Sequence, residues 1–161
     1  MAEAANRQVI LVGLDDSSAS ERALAQALEL AKGRDADVHV VHVLGGYDPF
    51  QRLEYGAHEH LVDLSGENES LAARVATLVS AWERDHGAAP PTHTEVVIGR
   101  SAKTLADLAA TRGAALIVVG NRNRSKLSRA VLGSVAEELL RRSTTTVLVV
   151  REQHDTHDTP S

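Results

Sequence analysis

Five short apolar runs rich in β-branched residues alternate along the chain with segments whose apolar residues recur at helical spacing. Short continuous apolar runs suit strands that are covered on both faces. Their alternation with helices predicts an α/β fold, a single doubly wound domain whose parallel sheet carries helices on both faces. The predicted strands are residues 9–12, 37–44, 94–98, 115–119 and 146–150.

Capping residues predict where the four intervening helices begin and end. Ser17 or Ser18 can cap the first helix, Glu21 stands at capping-box spacing from Ser18, and Asp16 suits the positive end of the helix dipole. The remaining boundaries are Gly33 and Gly87 at the ends of the first and second helices, Ser101 as the cap of the third, and Gly133 to Arg142 as the approximate extent of the fourth. Residues 45–60 form a long irregular stretch.

Composition limits the class of protein. The chain has 161 residues, 43% hydrophobic and 2% aromatic, which suits one domain with an aliphatic core. A net charge of -5 argues against nucleic-acid binding, and the absence of cysteine excludes disulfides and thiolate metal sites. Neither a signal peptide nor a membrane-spanning run is present in the sequence. We therefore expect a cytoplasmic domain over residues 8–151, with flexible tails at 1–7 and 152–161, that binds neither nucleic acid nor membranes.

Two adjacent acids, Asp15 and Asp16, follow the first predicted strand. Ligands of doubly wound sheets bind beyond the carboxyl ends of the strands, where Val43, Gly99 and Gly120 are also expected. Such an acid pair could hold magnesium, belong to a nucleotide pocket, or favour a helix N-terminus. A phosphoacceptor receiver domain also begins with such a pair.

The receiver interpretation lacks essential residues, because the third strand is followed by Gly99 and Arg100 rather than an acid, and no lysine closes the fifth strand. The phosphate-binding patterns GxxxxGK[ST] and GxGxxG are both absent. Histidines that could suggest a metal site fall in the irregular stretch and in the C-terminal tail: His58, His60, His154 and His157. We therefore expect no protein-held metal ion.

The loop after the fourth strand is polar and basic, and it leads into the fourth helix. Gly120 ends the strand, while Gly133 and Ser134 open the helix. Exposed amides at a helix N-terminus can bind an anion, and the serine hydroxyl can donate to a phosphate oxygen. The loop carries four cations: Arg122, Arg124, Lys126 and Arg129. On the residues alone, a phosphate site and a solvated turn with a serine cap both remain open.

The sequence resembles the universal stress proteins over roughly residues 9–150. The segment VGLDDSSASERAL is similar to the family pattern V-x-x-D-x-S-x-x-S-x-x-A-L, and VVHVL is similar to the family's second strand. VVIGRSAKTLADLAATRGAALIVVG resembles the third and fourth strands with the helix between them. The loop resembles the nucleotide motif G-x2-G-x9-G-[ST], in which Gly120, Gly133 and Ser134 match.

The resemblance implies a five-stranded sheet of order 3-2-1-4-5 and a homodimer that pairs through the fifth strand. Many family members bind ATP, AMP or cyclic AMP, and others bind none. The resemblance implies that Gly13 and Asp15 lie near the adenine and ribose and that Val43 faces the adenine. It also implies that Val119 and Gly120 contact the ribose side. The residues that it implies around the phosphates are Arg122, Asn123, Gly133, Ser134 and Val135. Any Mg²⁺ would be held through those phosphates.

One position departs from the family motif, because Asn123 stands where the second motif glycine is expected. Asparagine tolerates the left-handed backbone conformation that glycine adopts there, although its side chain occupies space near the phosphates. No general base is positioned near the expected phosphates, so we predict a nucleotide-binding stress-response or signalling module rather than an enzyme, with ATP hydrolysis slow if it occurs. The alternative is a dimeric interaction module of the same fold that acts without nucleotide.

Overall fold

The computed structural model describes residues 7–45, 63–122 and 131–152. Most of the predicted tails and most of the irregular stretch lie outside these residues, as does Asn123. The described elements are β1 (Gln8–Gly13), α1 (Ser18–Lys32), β2 (Ala36–Leu44), α2 (Ser65–His86), β3 (Thr92–Ile98), α3 (Ser101–Arg112), β4 (Leu116–Asn121), α4 (Ser134–Arg142) and β5 (Val147–Arg151).

The five strands form one parallel sheet in the order β3-β2-β1-β4-β5. The predicted fold class, strand order and placement of helices on both faces are therefore confirmed. The strand order reverses between β1 and β4, because the chain first builds outward through β2 and β3 and then returns to the other side of β1. In doubly wound sheets this reversal opens a crevice at the carboxyl ends of the two strands.

Each face of the sheet carries its own aliphatic core. Ile10 and Val12 point towards α1 and α2, while Leu11, between them in the sequence, points towards α3 and α4. All three side chains are at most 1% exposed. Burial on both faces explains why β1 is a continuous apolar run rather than an alternating one.

The caps of α1 differ in part from the prediction. Ser17 is the N-cap, and its hydroxyl accepts from the Ser20 amide at 3.2 Å, so the cap is neither Ser18 nor Asp16. The capping box predicted between Ser18 and Glu21 is wrong, because a cap at Ser17 places Glu21 one position too far along the helix. The Asp16 side chain is 96% exposed to solvent beside the start of the helix.

The start of α3 is also a correction. Arg100 occupies the N-cap position, and its carbonyl accepts the Thr104 amide at 2.8 Å. Ser101 is therefore the first helical residue and not the cap, because the chain has already turned into the helix when it reaches Ser101. The predicted helix ends at Gly33 and Gly87 are confirmed, and the φ of 78° at Gly87 shows why glycine suits that position.

The two edge strands of the sheet, β3 and β5, differ in the side-chain hydrogen bonds to their outward main-chain groups. On β3, the outward amide of Val96 donates to Asn68 Oδ1 of α2 at 3.0 Å, and the Asn68 amide group donates to the Leu64 carbonyl at 2.9 Å. On β5, no side chain of another described element bonds the main chain of residues 147–150, whose side chains are all half-buried. An uncovered, β-branched edge strand offers a template for pairing with another chain.

A polar cluster lies at the other end of the sheet, far from the carboxyl ends of the strands. His39 of β2 and His93 of β3 are register partners with ring centroids 5.1 Å apart, and Arg112 Nη1 lies 3.4 Å from His39 Nδ1. Burial lowers the pKa of His39, and the charges of Arg112 and His93 lower it further, against the smaller opposing effects of Asp37 and Glu95.

This lowered pKa predicts that acid destabilises the domain. The unfolded chain, in which histidine has a pKa of about 6.5, binds more protons than the folded one below that pH. The free energy of unfolding should therefore fall as the pH drops from about 6.5 through the lower folded pKa. His39→Gln should flatten this fall in urea titrations between about pH 7.5 and 5. Equal slopes in parent and variant would assign the acid sensitivity to other groups.

Candidate functional site

A cavity of about 760 Å³ opens at the carboxyl ends of β1, β2 and β4, on the face that α3 and α4 cover. It is the crevice expected at the reversal of strand order. Nine of the ten residues predicted to bind a nucleotide line it: Gly13, Asp15, Val43, Val119, Gly120, Arg122, Gly133, Ser134 and Val135. The tenth, Asn123, lies outside the described residues. The structure thus brings the nine together, and their role in binding stays a prediction.

The cavity has further lining residues that the sequence did not identify. They come from β2 and the ends of β1 and β2, from the first turns of α1, α3 and α4, and from the approach to α4: Leu14, Ser20, Val41, His42, Gly45, Ser101, Leu105, Val131, Leu132 and Ala136. The helical stripe that contains Leu105 predicts a buried position, but only the packing of α3 against the sheet places it beside the cavity. His42 fixes the adjacent backbone, with its Nδ1 2.7 Å from the Leu14 carbonyl oxygen.

Asp15 organises the turn between β1 and α1. Its Oδ1 accepts the Ser17 amide at 2.8 Å and the Ser17 hydroxyl. Burial by itself would raise the pKa of Asp15, but the hydrogen bonds from Ser17 and Ser20 and the charge of Arg122 outweigh it and leave the pKa below its ordinary value. The carboxylate is therefore ionised at neutral pH, and it lies at the cavity wall.

The main chain of the same turn is held from two sides. The buried Ser20 hydroxyl donates to the Asp15 carbonyl at 2.9 Å and accepts the Asp15 amide at 3.1 Å. From α2, Arg74 donates to the Asp15 carbonyl at 2.7 Å and to Glu21 at 3.0 Å, and it lies 3.6 Å from Asp16. These contacts fix the cavity wall before any ligand arrives.

Gly120 lets α1 pack directly on the end of β4. A Cβ atom on Gly120 would lie 2.4 Å from the Ala19 carbonyl carbon and 2.5 Å from the Ser20 amide nitrogen. Both neighbours are main-chain atoms of the first turn of α1, so they have no rotamer through which to yield. The motif glycine is therefore required by the fold itself, independently of any ligand.

One end of the cavity is an apolar slot. It is lined by Val41 and Val43 of β2, Val119 of β4 and Leu105 of α3, with Gly13 at its floor. A Cβ atom on Gly13 would lie 2.9 Å from a Leu105 methyl group and 3.2 Å from a Val119 methyl group. Glycine thus keeps the slot open where a larger residue would begin to fill it.

The other end of the cavity is the N-terminus of α4. Gly133 is the N-cap, and no side chain caps this helix within the described part of the chain. The amides of Ser134, Val135 and Ala136 therefore have no partner within the helix, and these three residues line the cavity. Such amides, together with the helix dipole, favour an anion.

The amide of Gly133 already has a hydrogen-bond partner within the protein. This amide donates to Asn121 Oδ1 at 2.6 Å, so it is already satisfied. A Cβ atom on Gly133 would lie 3.2 Å both from that oxygen and from the Arg122 carbonyl oxygen. Because Gly133 has no side chain, a ligand can come close to the N-terminus of α4. The available donors there are the amides of the residues that follow, Ser134, Val135 and Ala136.

Among residues 7–45, 63–122 and 131–152, no group of three or more acidic or histidine side chains is arranged to hold a metal ion. The four histidines considered from the sequence lie outside these ranges. Within the same ranges, none of the helices has the length and apolar character needed to cross a membrane.

The fold and the cavity define a doubly wound α/β domain with a ligand crevice at the reversal of its strand order. The chain belongs to the universal stress protein family, since the model of that family matches residues 6–151.

Relatives of known sequence and structure agree with this assignment. Universal stress protein YxiE of Bacillus subtilis is 32% identical over 146 residues, covering 88% of this chain and 97% of that protein. Universal stress protein MJ0531 of Methanocaldococcus jannaschii is 30% identical over 145 residues, covering 89% and 81%. A crystal structure of a universal stress protein in complex with cAMP superposes with a TM-score of 0.61 at 26% identity, covering 91% of this chain and 98% of the other.

Proposed function

We propose that this protein is a stress-response or signalling module that binds an adenine nucleotide in the cavity. The observation that carries the proposal is the uncapped N-terminus of α4, which opens onto the same cavity as an apolar slot. A nucleotide combines a flat, largely apolar base with an anionic phosphate, and the two ends of the cavity match these parts. The relative solved in complex with cAMP adds support from a second protein.

The proposed placement follows from the polarity of the walls. The base lies in the slot formed by Val41, Val43, Leu105 and Val119, and a phosphate meets the free amides at the start of α4. The ribose then falls between Asp15 and Gly120, where the ionised carboxylate can accept from a sugar hydroxyl. Any Mg²⁺ is held through the phosphates.

We propose binding rather than turnover because Asp15, the carboxylate at the described wall, suits general-base catalysis poorly. The lowered pKa of Asp15 makes it a weak base, and Ser17 already donates twice to one of its oxygens. Hydrolysis of bound ATP should therefore be slow.

Calorimetric titration with AMP, cyclic AMP and ATP tests the proposal. We expect at least one of them to bind, and Ser134→Ala to weaken its affinity by roughly 10- to 150-fold through the loss of one charge-assisted hydrogen bond. Ser65→Ala is the matched control, because Ser65 is also the first residue of its helix but lies away from the cavity. The control should bind like the parent.

Two outcomes would overturn this account. If the parent shows neither heat nor a thermal shift with any of the three nucleotides, the non-nucleotide interaction module becomes the better description. If Ser134→Ala and Ser65→Ala bind equally well, the phosphate lies elsewhere.

We further propose that the protein forms a homodimer through β5. Of the two sheet edges, β3 is bonded by Asn68 at the Val96 amide. On β5, the Arg151 carbonyl at the end of the strand accepts from Arg22 at 2.7 Å, but no side chain of another described element bonds the main chain of residues 147–150. The Ile117 amide donates to the Thr146 carbonyl, so Thr146, Leu148 and Val150 turn their main-chain groups towards β4. Val147 and Val149 therefore present theirs to the open edge, where a second copy can pair.

Two proline substitutions separate pairing from folding. Val149→Pro removes only an outward amide and should abolish the dimer while leaving the strand in place. Leu148→Pro removes an amide that faces β4 and should disrupt both the strand and the dimer. Sedimentation and circular dichroism measure the two effects. A parent that remains monomeric at high protein concentration, or a Val149→Pro variant that remains dimeric, would refute pairing through β5.

A further inference from the structure

Asn121, the last residue of β4, bridges two main-chain groups that lie just before α4. Its Oδ1 accepts the Gly133 amide at 2.6 Å, and its Nδ2 lies 3.3 Å from the Val131 carbonyl oxygen. One side chain therefore uses both its donor and its acceptor to hold the chain on either side of Leu132. Asn121 does not itself line the cavity.

This bridge fixes where α4 begins relative to the sheet. Eleven residues separate Asn121 from Gly133 in the sequence, and the buried residues of α4 itself are Ala136 and Leu139. Asn121 brings the end of this segment back to the carboxyl end of β4. The neighbouring residue, Gly120, is locked against α1, so the tie has a rigid anchor.

The same bridge decides which amides are free. Because the Gly133 amide already donates to Asn121, it is not available to an anion in the cavity. The available donors are the amides of Ser134, Val135 and Ala136. We infer that Asn121 is a positioning residue for the phosphate: it sets the place and direction of these three donors without touching the ligand. This inference rests on the proposed nucleotide binding.

The chemistry of the bridge requires an amide side chain. Leucine has a similar size but can neither accept from Gly133 nor donate to Val131. Aspartate keeps the acceptor for Gly133, loses the donor, and places a negative charge beside the phosphate site. The deficit of Asn121→Asp should therefore be partly electrostatic and should shrink as salt is added, whereas that of Asn121→Leu should not.

The experiment compares AMP with adenosine, which lacks the phosphate, by calorimetry on the full chain well below the thermal midpoint. We expect Asn121→Leu to bind AMP roughly 30-fold more weakly than the parent, from the loss of two hydrogen bonds, and adenosine almost as well. A role confined to overall stability would not separate the two ligands.

Asn68→Leu is the matched control, because Asn68 also bridges two main-chain groups but lies in α2, away from the cavity. It should lower the thermal midpoint and leave AMP affinity unchanged. If Asn121→Leu fails to fold, Asn121→Asp is used instead, and its AMP affinity is measured at increasing salt concentration.

The outcomes distinguish this inference from the proposed function. If the parent binds AMP and the Asn121 variants bind it equally well, or lose AMP and adenosine to the same degree, Asn121 is not a positioning residue for the phosphate. If the parent binds neither ligand, the nucleotide proposal fails and takes this inference with it.

Discussion

Gly120→Ala should cost the domain about 3 kcal/mol of unfolding free energy or more, because its new methyl group would overlap the first turn of α1. The carbon would lie 2.4 Å from the Ala19 carbonyl carbon and 2.5 Å from the Ser20 amide nitrogen. Relief requires α1 to move away from β4, which would expose buried aliphatic surface on that face of the sheet. Urea denaturation followed by circular dichroism measures the loss.

Gly66→Ala provides the matched control for this change. Gly66 is the second residue of α2, and no atom of the described part of the chain lies within 4 Å of the position its Cβ atom would take. Alanine there should stabilise the domain by roughly 0.5–1 kcal/mol, because glycine is the poorer helix former. Parent and Gly120→Ala proteins that unfold at the same urea concentration would show that α1 does not approach β4 as closely as described.

Gly133→Val should reduce AMP affinity by at least about 100-fold while leaving the fold intact. The φ of -61° and ψ of 154° at Gly133 are open to a β-branched residue, so no backbone strain is expected. The side chain, however, would crowd the Asn121 and Arg122 oxygens 3.2 Å away and stand in the path of the phosphate to the helix amides. Calorimetry and the thermal midpoint, measured together, separate binding from stability.

Gly45→Ala serves as the control for Gly133→Val. Gly45 also lines the cavity, but among residues 7–45, 63–122 and 131–152 nothing lies within 4 Å of the position its Cβ atom would take. The alanine variant should bind AMP almost as the parent does. A Gly133→Val variant that binds as tightly as the parent would place the ligand away from α4 and contradict the residue assignments made here.

The fold was largely predictable because its signals are local. Continuous β-branched runs can be recognised as buried parallel strands from a handful of neighbouring residues, and Gly87 ends α2 at a positive φ that glycine adopts readily. The cap of α1 was harder, since Ser17 and Ser18 are chemically equivalent and the path of the preceding turn decides between them. That path depends on Asp15, whose carboxylate binds the Ser17 amide.

The residues of the candidate site that belong to the family motif could be predicted from the sequence, whereas the contacts that support them could not. The motif places Gly120, Gly133 and Ser134 at one cavity, but it does not indicate that Asn121 consumes the Gly133 amide, because that bond joins residues twelve positions apart. Arg74 was missed as a support of Asp15 for the same reason, and Ser20 was missed although only five positions separate it from Asp15. Their contacts arise only when α1 and α2 are packed against the end of β1.

Backbone amide chemical shifts recorded during titration with AMP test the central claim most directly, because they report on the proposed phosphate donors themselves. We predict large, saturable changes at Ser134, Val135 and Ala136, with little change at Ser65, the first residue of another helix. Adenosine should shift residues of the apolar slot such as Val43 and leave the α4 amides nearly unchanged. Saturable binding of AMP that leaves the amides of residues 134–136 unmoved would contradict the account.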